Sequence, residues 1–301
     1  LLLYQWHPLL NDWGTGVESI RWCCVDSDTP DWFWILCSFV VSTRLRYQGM
    51  KIILIVVLVL LVGVLVYYHL RIRRFVANAG PLHDAADQFA TDYFLGDATK
   101  PQLEYVALGD STAYGVGASS IEKTYTHALA TAIAANGYYV HVRTFGRSGA
   151  QLSEVIKVQL PKVPERVDLV TISVGGNDAT HLTVPTTYRA LTDQLFKGLA
   201  AKQPREVVIG STTDMALTPA IPPIARNVVG LFAERQNREM RPAALQAHAA
   251  YVDLYTYAKL DRPSLYASDL FHPGDDGYAK WIPLFVEAVS YTHAQPSAQT
   301  E

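Results

Sequence analysis

Between residues 101 and 292 short apolar runs alternate with longer stretches of helical spacing, and nothing else in the chain restricts its fold so tightly. Strands joined through helices pair in parallel, because each crossover returns the chain to the edge of the sheet from which it started. Five runs read as strands, at 105–108, 139–144, 169–173, 207–209 and 251–254, each bounded by glycine, aspartate or proline. The expectation is an α/β domain built on a five-stranded parallel sheet. Ligands of such open sheets bind beyond the carboxyl ends of the strands.

The gaps between the strands carry helical faces. Tyr125, Leu129, Ala132 and Ile133 recur at helical spacing, and Asn136-Gly137 offers a left-handed stop. Tyr188, Leu191, Leu195 and Leu199 repeat the pattern before the fourth strand; Ile224, Val228, Leu231 and Phe232 do so before the fifth, with a kink or restart expected at Pro242. A last helix, over 278–289, follows Asp275 and Asp276, whose carboxylates suit first-turn amides. Its Trp281 and Phe285 are placed to cover the sheet, and Pro283 to bend the helix.

Ahead of this domain the composition changes. All three cysteines (Cys23, Cys24 and Cys37) and five of the six tryptophans precede residue 50, so residues 1–49 read as an atypical extension and Met50-Lys51 as a natural start. A metal or redox module there lacks the paired C-x-x-C spacing that zinc sites use. From Ile52 to Tyr68 the chain is uncharged for 17 residues, between Lys51 and the group Arg71, Arg73 and Arg74. That is the lower limit for spanning a bilayer, and Tyr67-Tyr68 suits an interfacial belt, so residues 50–74 read as a single-pass membrane anchor. A cleaved signal peptide, with Ala77-Asn78-Ala79 as the small-x-small site, fits less well because three arginines separate it from the apolar run. The side of the membrane stays open, although a start at Met50 favours a cytoplasmic domain. Residues 75–100 read as a polar linker and 293–301 as a disordered tail.

At 301 residues the chain has room for one substantial core with appendages. A formal charge of −3 gives no basic field for nucleic acid, and no nucleic-acid partner is expected. The oligomeric state is not legible.

Four fragments at strand ends carry chemistry. Gly109-Asp110 turns the chain sharply after the first expected strand and lifts the Ser111 hydroxyl to the sheet edge, where it becomes a nucleophile once a base takes its proton. The stretch 109–117 lacks the G-K-[ST] ending and the G-x-G-x-x-G spacing of phosphate loops. Asp269 and His272 lie three apart, and Pro273 keeps His272 out of helical geometry. The carboxylate can then accept from one imidazole nitrogen and fix the tautomer whose other nitrogen takes the Ser111 proton. A metal on Asp269 and His272 needs further ligands that the sequence does not offer nearby, so neither metal nor cofactor is expected. His83, His127, His141, His181 and His248 have no comparable escort and read as structural. For the oxyanion the candidates are the Ser111 amide, the bare backbone N–H of Gly149, and the side-chain amide of Asn177 after Gly175-Gly176.

These residues resemble those of the SGNH, or GDSL-like, hydrolases, whose Ser, Gly, Asn and His here are Ser111, Gly149, Asn177 and His272. The resemblance runs from about residue 105 to 289. It implies a three-layer α/β/α sandwich of flavodoxin-like type over 101–292, Asp269 as the partner of His272, and hydrolysis of esters or thioesters. Thr112 stands where the family motif has leucine, which leaves the subgroup open.

The substrate expected is therefore an acyl ester, cleaved through an acyl-enzyme on Ser111. The apolar, proline-stiffened loop 215–223, with Met215, Leu217 and Ile221, reads as an acyl-binding wall. An anchor through residues 52–68 makes lysophospholipid or another acylated surface substrate attractive. Acyl transfer, carbohydrate O-deacetylation and a silent binding module are the rival readings. An ordinary imidazole gains its proton near pH 6.5, so activity should fall below about pH 6.

Overall fold

The computed structural model describes residues 50–293, together with the backbone over 6–11, 19–24 and 31–49. The reading of residues 1–49 rests on side chains outside the described residues, and the tail after residue 293 also lies outside them. Two compact units emerge, Leu1–Tyr67 and Tyr68–Glu301. In the first, β1 (Trp6–Asn11) and β2 (Ser19–Cys24) pair antiparallel. Helix α1 (Asp31–Ala86) begins there and ends in the second unit. Its apolar stretch reaches a mean hydropathy of 3.0 with none of that window buried, and Leu54, Leu60 and Leu65 are each more than 60% exposed.

The second unit is built on one sheet. Its strands are β3 (Asp92–Leu95), β4 (Gln102–Gly109), β5 (Tyr139–Thr144), β6 (Leu169–Ser173), β7 (Glu206–Gly210) and β8 (Ala250–Val252), in the spatial order β3-β5-β4-β6-β7-β8. The five expected strands, β4 to β8, are all present and parallel. The sheet is nevertheless mixed, because β3 adds antiparallel to β5, with Asp92 opposite Arg143 and Leu95 opposite Val140. This edge strand falls in the stretch expected to be a linker, as does the end of α1. Its support is tertiary: Phe94 stacks on His141 and Tyr139, 4.2 and 4.9 Å between ring centroids.

Alternation along β4 sorts the two cores, since successive side chains of a strand point to opposite faces. Leu103, Tyr105 and Ala107 pack under α3 (Tyr125–Ala135) and α9 (Asp275–Ala288). Val106 and Leu108 pack under α6 (Pro185–Lys202) and α7 (Pro223–Gln246). The result is an α/β/α sandwich. Four short helices stand beyond strand ends: α2 (Ser111–Tyr114), α4 (Leu152–Glu154), α5 (Gly176–Thr180) and α8 (Leu254–Tyr257).

Helices α3, α6 and α9 bury the expected faces, with Trp281 and Phe285 in the core. Asp275 does not cap its own helix but accepts from the Ser119 amide and hydroxyl. Helix α7 departs from expectation in two ways. It runs unbroken through Pro242, and it turns Ile224, Val228 and Leu231 outward, 80, 46 and 42% exposed. Its inward face uses smaller groups instead, because a Cβ on Gly230 would stand 2.6 Å from that of Ala216. Val229 and Ala233 fill the contact with the 215–221 loop.

Candidate active site

Strand β4 ends on Gly109, at φ +143°, where an added Cβ would lie 1.9 Å from the Ser173 carbonyl oxygen. Only glycine fits that turn. Both polar groups of its backbone are held by one buried side chain: Gly109 N–H donates to Gln159 Oε1 at 2.8 Å, and Gln159 Nε2 donates to Gly109 O at 2.7 Å. Gln159 closes a π-helical turn, Val155–Gln159, that continues α4. Asp110 then caps α2, accepting from the Thr112 amide at 2.9 Å and its hydroxyl at 2.7 Å. Burial pushes the Asp110 carboxyl up, and these two bonds oppose the shift. Ser111 is the first residue of α2, where a backbone N–H has no partner within the helix and points outward.

The loop carrying Asp269 and His272 folds back on itself. Ala267 N–H bonds the His272 carbonyl, Tyr266 bridges Pro273, and Leu270 takes φ +59° to make the reversal. Asp269 Oδ1 accepts the amides of Phe271 and His272 at 2.9 and 3.0 Å, while Oδ2 lies 2.5 Å from His272 Nδ1. With Nδ1–H donating there, Nε2 is the nitrogen that accepts. It stands 2.9 Å from Ser111 Oγ. Burial would raise the Asp269 pKa, but its bonds and charge interaction with His272, and the two amides, outweigh burial and hold the carboxyl below the ordinary value. All three residues are at most 5% exposed.

Strand β6 leads through Gly175, at φ +130°, into α5, which carries Asn177. Asn177 Nδ2 donates to Ala150 O at 3.1 Å, and Leu152 N–H donates to Asp178 Oδ2 at 2.9 Å. Two bonds therefore tie the Asn177 turn to the loop holding Gly149. Burial pushes Asp178 up to about 6, against the Leu152 bond. A cavity of about 50 Å³ opens beside Ser111, with Asn177, His272, Thr212, Met215 and Trp281 in its lining. Gly149, at φ +79° with open space where a Cβ would stand, is exposed on the adjoining loop and does not line that cavity. Of the three expected acyl-wall residues only Met215 lines it; Leu217 is half-buried elsewhere, and Ile221 packs with Val229 and Ala233.

Sequence reasoning missed a contribution from α1. Its residues 71–83 lie along the loops of the site: Arg71 donates to Pro219 O at 2.9 Å and Asn78 to Ser268 O at 3.2 Å. Phe75 meets Phe271 edge to face, and His83 meets His272 in the same way at 5.5 Å. No local signal marks these residues, since their partners lie about 150 to 190 positions away. Gln159 was equally silent.

The GDSL-like Lipase/Acylhydrolase family model matches residues 107–280, more than half of the chain, and the chain belongs to that family. A lipase of Streptomyces rimosus is 38% identical over 121 residues, a match that spans 38% of this chain and 45% of the relative's length. The fold recurs in a member of the lipolytic protein G-D-S-L family from Veillonella parvula, at 16% identity and TM-score 0.51, covering 62% of this chain and 98% of that one. It recurs also in the lipase/acylhydrolase of Enterococcus faecalis, at 18% identity and TM-score 0.50, covering 65% and 100%.

Proposed function

We propose that this chain is a serine esterase that hydrolyses acyl esters or thioesters, with Ser111 as nucleophile, His272 as base and Asp269 as its orienter. The observation that carries the reading is the continuous hydrogen-bonded run from Asp269 Oδ2 through the imidazole to Ser111 Oγ. Attack by Ser111 on the acyl carbonyl passes its proton to Nε2, and the imidazolium is stabilised by the carboxylate. The tetrahedral oxyanion is held by the Ser111 amide and Asn177, with the Gly149 amide as a third donor from the adjoining loop. His272 then protonates the departing alcohol or thiol and activates the water that releases the acyl group. Family membership and the lipase relative favour this class of reaction.

Residues 52–68 act in this reading as a single-pass anchor that holds the catalytic domain near lipid, which favours lysophospholipid or a similar acylated substrate. Alkaline carbonate extraction of the full chain tests the anchor: it stays with the membrane pellet if the anchor is real. A panel of acyl esters assayed with wild type and Ser111→Ala tests the chemistry. Loss of turnover on the order of 10⁴-fold or more, with loss of labelling by a fluorophosphonate, is expected. Retained turnover demands another nucleophile.

A further inference from the structure

Helix α7 opens with three apolar side chains at i, i+4 and i+7, Ile224, Val228 and Leu231, that face outward rather than onto the sheet. Exposed apolar side chains scattered singly are ordinary, but a contiguous stripe is not. Its position is tied to α1. Arg226, between Ile224 and Val228, donates to Pro219 O and Ile221 O, and Arg71 donates to that same Pro219 carbonyl. Arg71 lies three residues after Tyr68 on one continuous helix, so about 5 Å of rise separates it from the end of the apolar run. Basic residues predominate beside the first turns of the stripe, and Asp84, Asp214 and Glu234 stand at the borders of the same segments. Residues 68–83 hold Arg71, Arg73 and Arg74 without a carboxylate, and residues 215–233 hold Arg226 without one.

We propose that the stripe Ile224–Val228–Leu231, flanked by these four arginines, docks on the surface of an anionic lipid bilayer. The proposal rests on the reading of residues 52–68 as an anchor. If that run crosses the bilayer, Arg71 stands at the headgroup level, and through the shared Pro219 carbonyl it brings the first turns of α7 there too. Apolar side chains then enter the acyl boundary while arginines meet phosphate, as at an interfacial helix. Leu270, 39% exposed on the Asp269–His272 loop, bonds Ala220 through its carbonyl, so the same edge continues to the site. Docking would seat the mouth of the catalytic cleft beside the lipid from which an ester is drawn.

The test uses the full chain with Cys23→Ser, Cys24→Ser and Cys37→Ser, reconstituted in vesicles of phosphatidylcholine and phosphatidylglycerol. A nitrobenzoxadiazole label is placed in turn through Val228→Cys on the stripe, Leu60→Cys in the apolar run, and Thr131→Cys on the exposed face of α3. Spin-labelled lipid should quench the labels at 228 and 60 and leave that at 131 bright. Quenching at 60 without quenching at 228 overturns the docking surface and leaves the anchor standing; quenching at neither removes both. In vesicles of phosphatidylcholine alone the quenching at 228 should weaken while that at 60 holds. Equal quenching at 228 in both lipids overturns the anionic preference.

Discussion

His83 and His272 meet edge to face, their ring centroids 5.5 Å apart and their planes at 89°. One ring comes from α1 and the other from the loop of the proposed base, so the part of α1 that follows the apolar run reaches the proposed base directly. Burial lowers the His83 pKa first and the His272 charge lowers it further, against the opposing pull of Asp269, Asp87 and Asp84. A lowered value keeps His83 neutral at pH 7, where it serves as a packing surface and not as a charge.

His83→Phe should therefore keep kcat/KM at pH 8 within about threefold of wild type, because an aromatic edge still meets His272. His83→Ala removes the contact, worth about 1 kcal/mol, and should cost on the order of fivefold, in kcat more than in KM. Steady-state kinetics on a soluble ester separate the two. A phenylalanine variant as slow as the alanine one, or an acid limb displaced in the phenylalanine variant, would mean that His83 acts through its nitrogens.

Asp269→Asn should lower kcat by about 10⁴-fold, since an amide at this position favours the wrong imidazole tautomer. It also changes the response to acid. Because the folded state depresses the Asp269 pKa, the unfolded chain takes up the proton first as pH falls, and protonation then drains stability. That contribution is whole above about pH 4 and disappears as pH drops through the folded value. Melting temperatures recorded from pH 5 downward should fall more steeply for wild type than for Asp269→Asn.

Much of this site can be read from local sequence because each fragment ends a strand whose apolar run is unambiguous. Strands β5 and β6 begin and end where the pattern places them, and Gly109, Gly175 and the Asp269–His272 spacing encode their turns within a few residues. What local sequence does not encode is support from afar. Strand β3 is only four residues long, Asp92-Tyr93-Phe94-Leu95, too short a run to stand out from the stretch around it, and it becomes a strand only through β5, where Asp92 bonds His141 and Phe94 stacks on it. Residues 75–100 read as a linker, yet α1 runs to Ala86, its last turns held by distant partners within the same unit, with His83 against His272. The stripe on α7 has the right period for a buried face. Periodicity cannot say which of two faces is covered, and the small residues Gly230 and Ala233 win the inner one.

Gln159 holds Gly109 by both backbone groups, two residues before Ser111. Gln159→Leu leaves the Gly109 N–H buried without a partner, while its carbonyl keeps the Arg147 amide. An unsatisfied buried donor costs about 1–3 kcal/mol, and denaturant titration should read a loss of that size. The turn before Ser111 is also freed to shift, so kcat should drop while KM changes little. Gln159→Glu keeps the acceptor and loses the donor, and its kcat should fall between those of wild type and the leucine variant. A leucine variant of unchanged kcat would confine Gln159 to stability.

Asp178 places a titration inside the Asn177 turn. Burial lifts its carboxyl to about 6, against the Leu152 amide that stabilises the anion. A raised folded value reverses the usual carboxylate sign. Between about pH 4 and pH 6 the folded chain holds a proton that the unfolded chain has released, so stability declines as pH rises through this window and levels off above it. A difference near two units corresponds to a decline on the order of 3 kcal/mol. Asp178→Asn keeps an acceptor for Leu152 N–H and has nothing to titrate, so its stability should stay level across the same window. The two bonds joining the Asn177 turn to the Gly149 loop survive in that variant, and its kcat at pH 8 should remain within about threefold of wild type. Chemical denaturation of both proteins at half-unit steps from pH 4 to pH 7 measures the difference. Parallel curves would place the titrating group elsewhere in the domain.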